Sequence, residues 1–224
     1  MTMARKVLLK DAGFGLDNTR KIVGLFPGSR RSEIERLLPV IISSALLLKK
    51  KFPDIQFVLP LASTLRKEDI APLFTAANLS ITIIKERIHD LIRACDAVIS
   101  VSGTVTLEIA LVGTPMVIIY KLSPLTYQIA KRLVKVPNIG LCNIVAGETA
   151  VRELIQDQAN PEEIAGEITA ILTDQTYEAG IVRKLSEVRA KLGMGGASAH
   201  VAGLVLALCH RFDGASANQA GVRQ

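Results

Sequence analysis

Apolar and polar positions divide much of this chain into short apolar runs and longer amphipathic ones, a pattern that predicts strands and helices in turn. The clearest case lies at residues 97–120. There the β-branched run Ala97–Val101 predicts a buried strand, a helix follows it, and Met116–Tyr120 predicts a second buried strand. The turn residues 113–115 separate the helix from that strand. The pattern predicts one βαβ unit.

The same alternation continues towards the N-terminus. Strands are predicted at Ile22–Phe26, residues 55–59 and residues 79–84, and a helix at residues 67–77. A short segment, residues 86–94, then leads into the central strand. Strands that alternate with helices are typical of an α/β fold, so the chain is predicted to form a parallel sheet flanked by helices.

A further helix is predicted directly after the first strand. Ser32 and Glu35 have the spacing of a capping box, and Pro39 predicts a kink or a restart. The apolar stripe of this helix consists of Ile34, Leu37, Leu38, Ile41, Ala45 and Leu48. This stripe predicts the face that packs on the sheet.

The C-terminal half is predicted to be mostly helical. Its helices are expected at residues 121–136 with Ser123 as N-cap, at 160–173 with Asn160 as N-cap, at 176–192, and from Ser198 to about Phe212. Residues 137–147 are predicted to be a loop. The expected division is a lead-in at 1–20, a main domain at 21–175, a helical arm at 176–212 and a disordered tail at 213–224.

The amino-acid composition indicates the kind of core and the kind of binding partner to expect. Hydrophobic residues make up 49% of the chain and aromatic residues only 4%, so the core is expected to be aliphatic, as in parallel sheets covered by helices. The formal charge of +6 suits anionic partners such as nucleotides or phospholipid surfaces. Nucleic acid is the least favoured partner, because basic clusters interleaved with aromatic residues are missing.

Cysteine and histidine usage points away from disulfides and metals. The three cysteines and three histidines are scattered along the chain, without the spacing of metal ligands. No uninterrupted run of eighteen apolar residues and no signal peptide are present. We therefore expect a cytoplasmic protein that binds no metal or cofactor and does not span the membrane.

The first candidate site lies at the turn after the central strand. Ser102, Gly103 and Thr104 stand at a helix N-terminus, where amide groups, hydroxyls and the helix dipole favour a phosphate. Glu108 follows one turn later, about 6 Å along the axis, where it could accept two ribose hydroxyls. The alternative is a capped helix with a solvated glutamate.

The second candidate site follows the first strand. Gly28 and Ser29 form a small turn that opens a helix, and Arg30 adds a guanidinium that can hold a phosphate with two hydrogen bonds. The spacing is not that of a Walker loop. The alternative is that Arg30 and Arg31 both face water.

Two further features remain open from the residues alone. Residues 121–136 combine an apolar stripe with Lys131, Arg132 and Lys135, which suits either an anionic lipid surface or an ordinary surface helix. Asn143 lies in an apolar setting and needs partners if it is buried. It is either a structural hydrogen-bonding residue or a ligand contact.

Five motifs in this order resemble the lipid-A-disaccharide synthases, bacterial glycosyltransferases with the two-domain GT-B architecture. The resemblance covers residues 22–210 and identifies the chain with the Rossmann-like C-terminal domain of that architecture. The motifs are PGSRRSEI at 27–34, SGTVTLE at 102–108, GTPMVIIY at 113–120, SPLTYQIAKRLVKVPNIGLCNIVAG at 123–147 and LGMGGAS at 192–198.

The resemblance implies an inverting transfer. The donor would be UDP-2,3-diacylglucosamine, the acceptor 2,3-diacylglucosamine 1-phosphate, and the products lipid A disaccharide phosphate and UDP. Residues 102–104 match the diphosphate-contacting turn and Glu108 the ribose-binding glutamate, while backbone groups near Ile88 are expected at the uracil. Arg30 and Asn143 match positions important for activity. Family members lie peripherally on the inner face of the inner membrane.

The resemblance also implies a second part. In the family an N-terminal half binds the acceptor and supplies the aspartate expected as general base, and this sequence shows nothing that corresponds to it. The expected partners are therefore that half or a second copy of the chain. Two alternatives stay open: a stand-alone UDP-binding or assembly module without catalysis, and a related GT-B enzyme such as a UDP-N-acetylglucosamine epimerase.

Overall fold

A single parallel sheet forms the centre of the fold. The computed structural model describes residues 13–123, 127, 138–193 and 196–219, apart from the side chains of 197 and 210–219. The sheet has six strands in the order β3-β2-β1-β4-β5-β6, and every neighbouring pair is parallel. The strands are β1 (Ile22–Phe26), β2 (Gln56–Pro60), β3 (Thr82–Ile84), β4 (Ala97–Val101), β5 (Met116–Tyr120) and β6 (Glu153–Ile155).

This strand order is that of a doubly wound, Rossmann-like sheet. From β1 the chain adds strands towards one edge of the sheet as far as β3, and from β4 it adds them towards the other edge. Strands β1 and β4 are therefore neighbours at the centre, with Phe26 opposite Ser100. In such sheets the connections that leave the two central strands run to opposite sides and open a crevice at the carboxyl edge. The fold therefore brings the turns after β1 and β4 together.

Helices make up most of the rest of the described chain. They are α1 (Arg31–Lys51), α2 (Lys67–Ala76), α3 (Ile88–Ala94), α4 (Val105–Val112), α5 (Leu141–Ala146), α6 (Pro161–Thr173), α7 (Gln175–Leu192) and α8 (Ala197–Gln219). The predicted stripe of α1 is buried throughout, and every residue of β1 and β4 is buried. Each buried leucine or isoleucine contributes roughly 1.5–3 kcal/mol. The core is aliphatic, as the composition indicates.

The start of α1 differs from the prediction. The N-cap is Arg30, whose side chain makes no capping hydrogen bond, so the capping box at Ser32 and Glu35 is wrong. The Arg30 carbonyl accepts from the amides of Glu33 and Ile34, and the Glu35 carboxylate pairs with Arg31 instead. The helix does not restart at Pro39. Pro39 is exposed, so water can reach the carbonyl that the proline leaves unpaired.

The region after β5 also differs from the prediction. Residues 141–146, predicted to be part of a loop, form α5, which ends at Gly147 with φ +75°. The three-residue strand β6 was not predicted. The helix expected at 121–136 lies almost entirely outside the described residues.

The chain divides into two compact units, the first ending at Lys191 and the second beginning at Leu192. Helix α7 packs in the first unit through Ile181, Leu185 and Val188. In the second unit α8 begins at Ala197, so Ser198 is not its cap, and it extends to Gln219 rather than to Phe212. The functional division of the chain at 20, 175 and 212 stays a prediction.

Candidate functional site

A cleft of about 550 Å³ lies at the carboxyl edge of the sheet, where the strand order reverses. Open α/β sheets bind ligands at this position. All the site residues predicted from the sequence line it except Asn143: Gly28, Ser29, Arg30, Ile88, Ser102, Gly103, Thr104 and Glu108. The fold thus brings the two predicted anion-binding turns into one cavity.

The turn after β4 is held from two sides. The Ser102 amide donates to the Ile119 carbonyl of β5 at 3.1 Å, and the Ser102 hydroxyl donates to the Ile139 carbonyl at 3.2 Å. The Thr106 hydroxyl closes the first turn of α4 by donating to the Gly103 carbonyl. The Thr106 and Leu107 amides donate to the carbonyls of Gly103 and Thr104, so the amides that can serve a ligand are those just before them, at the positive end of the helix dipole.

Only some of the polar groups of residues 102–104 are free to contact an anion. Because the Ser102 hydroxyl proton is directed at Ile139, the groups that can face an anion are the turn amides and the exposed Thr104 hydroxyl. A Cβ at Gly103 would meet no heavy atom within 4 Å. The space above Gly103 is therefore open to a ligand.

Glu108 lies one helical turn beyond Thr104 and lines the same cleft. Its side chain is half exposed, and its Oε2 atom lies 3.4 Å from Nε2 of His89. A carboxylate accepts several hydrogen bonds, so one contact leaves capacity for a diol. The predicted alternative of a solvated glutamate is compatible with this exposure, and the ribose role stays a prediction.

The turn after β1 requires glycine for two reasons. Gly28 has φ +93°, and a Cβ there would lie 2.7 Å from Oε2 of Glu33. Arg30 follows at the start of α1 and pairs with Oε1 of Glu33 at 2.8 Å. This hydrogen bond and the charge of Glu33 raise the pKa of Arg30. Arg31 is also exposed but pairs with Glu35.

Sequence reasoning missed two charged residues in the cleft lining. Glu33 is only 18% exposed in its side chain, and its i+3 spacing from Arg30 on a helix was a usable signal. Lys85 directly follows β3 at the carboxyl edge of the sheet, a position that also could have been predicted. The cleft thus contains Arg30 and Lys85 beside Glu33 and Glu108.

Ile88 begins α3 and contributes a half-buried apolar side chain to the cleft. The preceding residue, Arg87, has a left-handed conformation with φ +58°. Its guanidinium lies over the ring of Phe14 and pairs with Asp90. These contacts fix the direction in which the chain enters α3.

Asn143 is placed differently from the other predicted residues. It is fully buried in α5. Its Nδ2 donates to the Val151 carbonyl at 2.8 Å and to Oε1 of Glu153 at 2.7 Å, and its Oδ1 accepts from the amides of Ala150 and Val151. Both amide protons are used, so the structure favours the structural alternative over direct ligand contact.

Cys142, beside Asn143, is also buried. Burial and then the nearby Glu153 charge raise the pKa of its thiol to about 12, so the thiol stays protonated at neutral pH. In the part of the chain that the structure describes, no group of three or more His, Cys, Asp or Glu residues could hold a metal ion. Over the same residues, none of the helices combines the length and the apolar character needed to cross a membrane.

Comparison with solved structures agrees with this architecture. The UDP-GlcNAc 2-epimerase of Neisseria meningitidis, bound to UDP-GlcNAc, superposes with a TM-score of 0.60 over 92% of this chain and 50% of the epimerase, at 18% identity. The Escherichia coli ADP-heptose LPS heptosyltransferase II gives a TM-score of 0.54 over 79% of this chain and 53% of that protein, at 16% identity. The fold is a Rossmann-like half of the GT-B type.

Comparison of sequences identifies the family. The lipid-A-disaccharide synthetase family model matches residues 2–198. The lipid-A-disaccharide synthase of Trichlorobacter lovleyi is 66% identical over 195 residues, which are 87% of this chain and 51% of the relative. The chain thus spans about half the length of the curated relatives that it matches. These findings confirm the resemblance seen in the motifs: the chain belongs to the lipid-A-disaccharide synthetase family.

Proposed function

We propose that this chain is the donor-binding part of a lipid-A-disaccharide synthase. Its donor would be UDP-2,3-diacylglucosamine, whose sugar is transferred with inversion to 2,3-diacylglucosamine 1-phosphate. The observation that carries the proposal is the meeting of both predicted anion-binding turns in one cleft of a chain that belongs to this family. A diphosphate needs donors on more than one side, and this cleft offers them.

The cleft suggests a role for each side chain. The amides after β4 and the Thr104 hydroxyl would hold the diphosphate, and Arg30 would approach it from the turn after β1. Glu108 would accept the ribose hydroxyls, and the apolar side of Ile88 would border the uracil. The helix N-terminus and Arg30 would then stabilise the charge that builds up on UDP as it leaves.

Arg30 has to change partners for this role. In the structure its guanidinium pairs with Glu33, and its side chain is 78% exposed. The arginine side of this pair is open to water, so a diphosphate can compete for the guanidinium. Glu33 would hold Arg30 at the rim of the cleft until the donor arrives.

The acceptor side of the reaction needs a general base. The family resemblance assigns this base to an aspartate of an N-terminal half, whereas the motifs of this sequence match the C-terminal half. We propose that the donor-binding part and that half act together, at the inner face of the inner membrane. The basic and apolar residues at 121–136 support a peripheral contact with anionic lipid.

A second candidate is a UDP-binding or assembly module without catalysis. The observation that favours it is the cleft lining, whose turn amides, Arg30 and Lys85 suit the binding of an anion. The epimerase alternative rests on a fold likeness at 18% identity, which carries no function. Donor selectivity separates the enzyme from an epimerase, and reconstitution separates it from a binding module.

The test combines both measurements. We expect the purified chain to bind UDP-2,3-diacylglucosamine in detergent micelles in preference to UDP-N-acetylglucosamine. We also expect it to form disaccharide only when an N-terminal half, taken from the Trichlorobacter lovleyi relative, is added. Equal binding of both donors, or disaccharide formation by the chain alone, would contradict the proposal. Donor binding without product in the mixture would favour the binding module.

A further inference from the structure

Glu153 is the first residue of β6, at the edge of the sheet, and its carboxylate faces back towards α5. Its Oε2 accepts from the Ile139 amide at 2.8 Å. Its Oε1 accepts from the Gly140 amide at 3.0 Å and from Nδ2 of Asn143 at 2.7 Å. One partly buried carboxylate therefore collects three donors from the segment 139–143.

This segment also contacts the cleft. The Ile139 carbonyl accepts from the Ser102 hydroxyl at 3.2 Å, and Leu141 lines the cavity. The residue whose amide is bound by Glu153 is thus the same residue whose carbonyl holds Ser102. Two hydrogen bonds lead from the Glu153 carboxylate to the turn after β4.

The segment has little freedom to move. A Cβ at Gly140 would lie 2.5 Å from Cδ1 of Ile118 and 3.0 Å from Oε1 of Glu153, so the backbone lies directly against β5 and the carboxylate. If the carboxylate were removed, two partly buried amides would lose their acceptors, a loss that the close packing cannot relieve by a small shift.

Asn143 completes the arrangement. It is fully buried, and the Val151 carbonyl together with the amides of Ala150 and Val151 fixes its orientation. Its remaining amide proton goes to Glu153. Asn143 therefore helps to set the position of the Glu153 carboxylate, and neither residue is part of the cleft lining.

We propose that Glu153 is a positioning residue for the anion-binding turn 102–104. Through Ile139 it fixes the Ser102 hydroxyl, and so the direction of the amides that follow. Its importance for donor binding rests on the proposed function, whereas the positioning itself can be tested without any ligand.

The ligand-free test uses amide resonances of the full chain. In Glu153→Gln one acceptor oxygen becomes an NH₂ donor, so at least one of its three partners is lost. We expect the resonances of 139–140 to move and those of 102–104 to move with them. In a Ser102→Ala background, Glu153→Gln should leave the amide resonances of residues 103–104 unmoved. Glu148→Gln, whose carboxylate contacts Lys184, is the matched control.

The proposal would be overturned if Glu153→Gln moved only the amide resonances of residues 139–143. It would also be overturned if the resonances of 103–104 moved equally in the wild-type and Ser102→Ala backgrounds. If Glu153→Gln fails to fold, the reciprocal experiment decides. Ser102→Ala changes a side chain at the open cleft, and it should shift the Ile139 and Gly140 amides. Unmoved amides would reject the coupling.

A UDP titration then adds the functional readout. We expect Glu153→Gln to weaken UDP binding roughly threefold to tenfold in the wild-type background, and by less than about twofold with Ser102→Ala. A purely structural role would give the same factor in both. A wild-type chain that binds no UDP would reject the proposed function and leave the amide test decisive.

Discussion

At the scale of single residues, the cleft combines groups that attract an anion with carboxylates that repel it, and Glu33 is the carboxylate next to Arg30. Glu33 pairs with Arg30 at 2.8 Å and lies against Gly28 within the cavity lining. A diphosphate bound there would meet a carboxylate of its own sign. If the proposed donor site is right, the pair competes with the donor for Arg30.

Removing the charge of Glu33 should therefore strengthen binding. We expect Glu33→Gln, which keeps the size of the side chain, to tighten UDP binding by roughly threefold, since it removes both the competing partner of Arg30 and a charge that repels the diphosphate. Calorimetric titration measures the change. Glu35→Gln, which removes the partner of Arg31 outside the cleft, is the control. Weaker binding by Glu33→Gln would instead mean that Glu33 orients Arg30 for the donor.

The two cleft glycines should respond differently to alanine. At Gly28 the conformation with φ +93° and the contact with Glu33 both oppose a side chain, so Gly28→Ala should lower the free energy of unfolding by about 1–3 kcal/mol. At Gly103 a Cβ meets nothing within 4 Å, so Gly103→Ala should leave stability nearly unchanged while weakening UDP binding. Urea unfolding and UDP titration of both variants check this. Equal stability losses would contradict it.

At the scale of elements, the sequence predicts the bounds of a strand best where the strand is buried and turn residues stand at both of its ends. The bounds of β1, β4 and β5 were predicted correctly, because each is an apolar run bounded by turn residues. Strand β6 and helix α5 were missed because three and six residues are too short to show a periodicity. The Glu153 network was missed with them, since it joins residues far apart in the chain.

The junction of α6 and α7 has an interaction that sequence patterns also do not show. Glu167 of α6 is buried, and its carboxylate accepts from the Tyr177 hydroxyl and from Arg152. Burial, and then the hydrogen bond to Glu167, raise the pKa of Tyr177 to about 12. This contact helps to fix α7 in the first unit.

A pH-dependent contribution of Tyr177 to stability follows. Its folded pKa lies above the ordinary value of 10, so between pH 10 and 12 the unfolded chain has lost the phenol proton that the folded chain keeps. Stability then falls as the pH rises. We expect Tyr177→Phe to cost about 1–2 kcal/mol at pH 7 and clearly less near pH 12. Thermal unfolding at several pH values tests this, and a difference independent of pH would contradict it.

At the scale of the whole molecule, the central claim is that two distant turns form one donor site. The α/β pattern was enough to place both turns at the carboxyl edge of the sheet, and the structure puts them in a single cleft. For the ion pair on Arg30 the sequence offered only the i+3 spacing of Glu33, and it could not show the burial of Asn143, which depends on side-chain packing. Family membership over about half the length of the relatives makes donor binding the property to test first.

The most direct measurement is a calorimetric titration of UDP into the full chain, with Arg30→Ala, Glu108→Ala and Arg31→Ala. Arg31 is the matched control, because it is an exposed arginine at the start of α1 that pairs with Glu35. We predict that the wild-type chain binds UDP, that the first two substitutions each weaken binding roughly tenfold or more, and that the third has little effect. A folded chain that binds no UDP, or binding that neither Arg30→Ala nor Glu108→Ala weakens, would contradict the account.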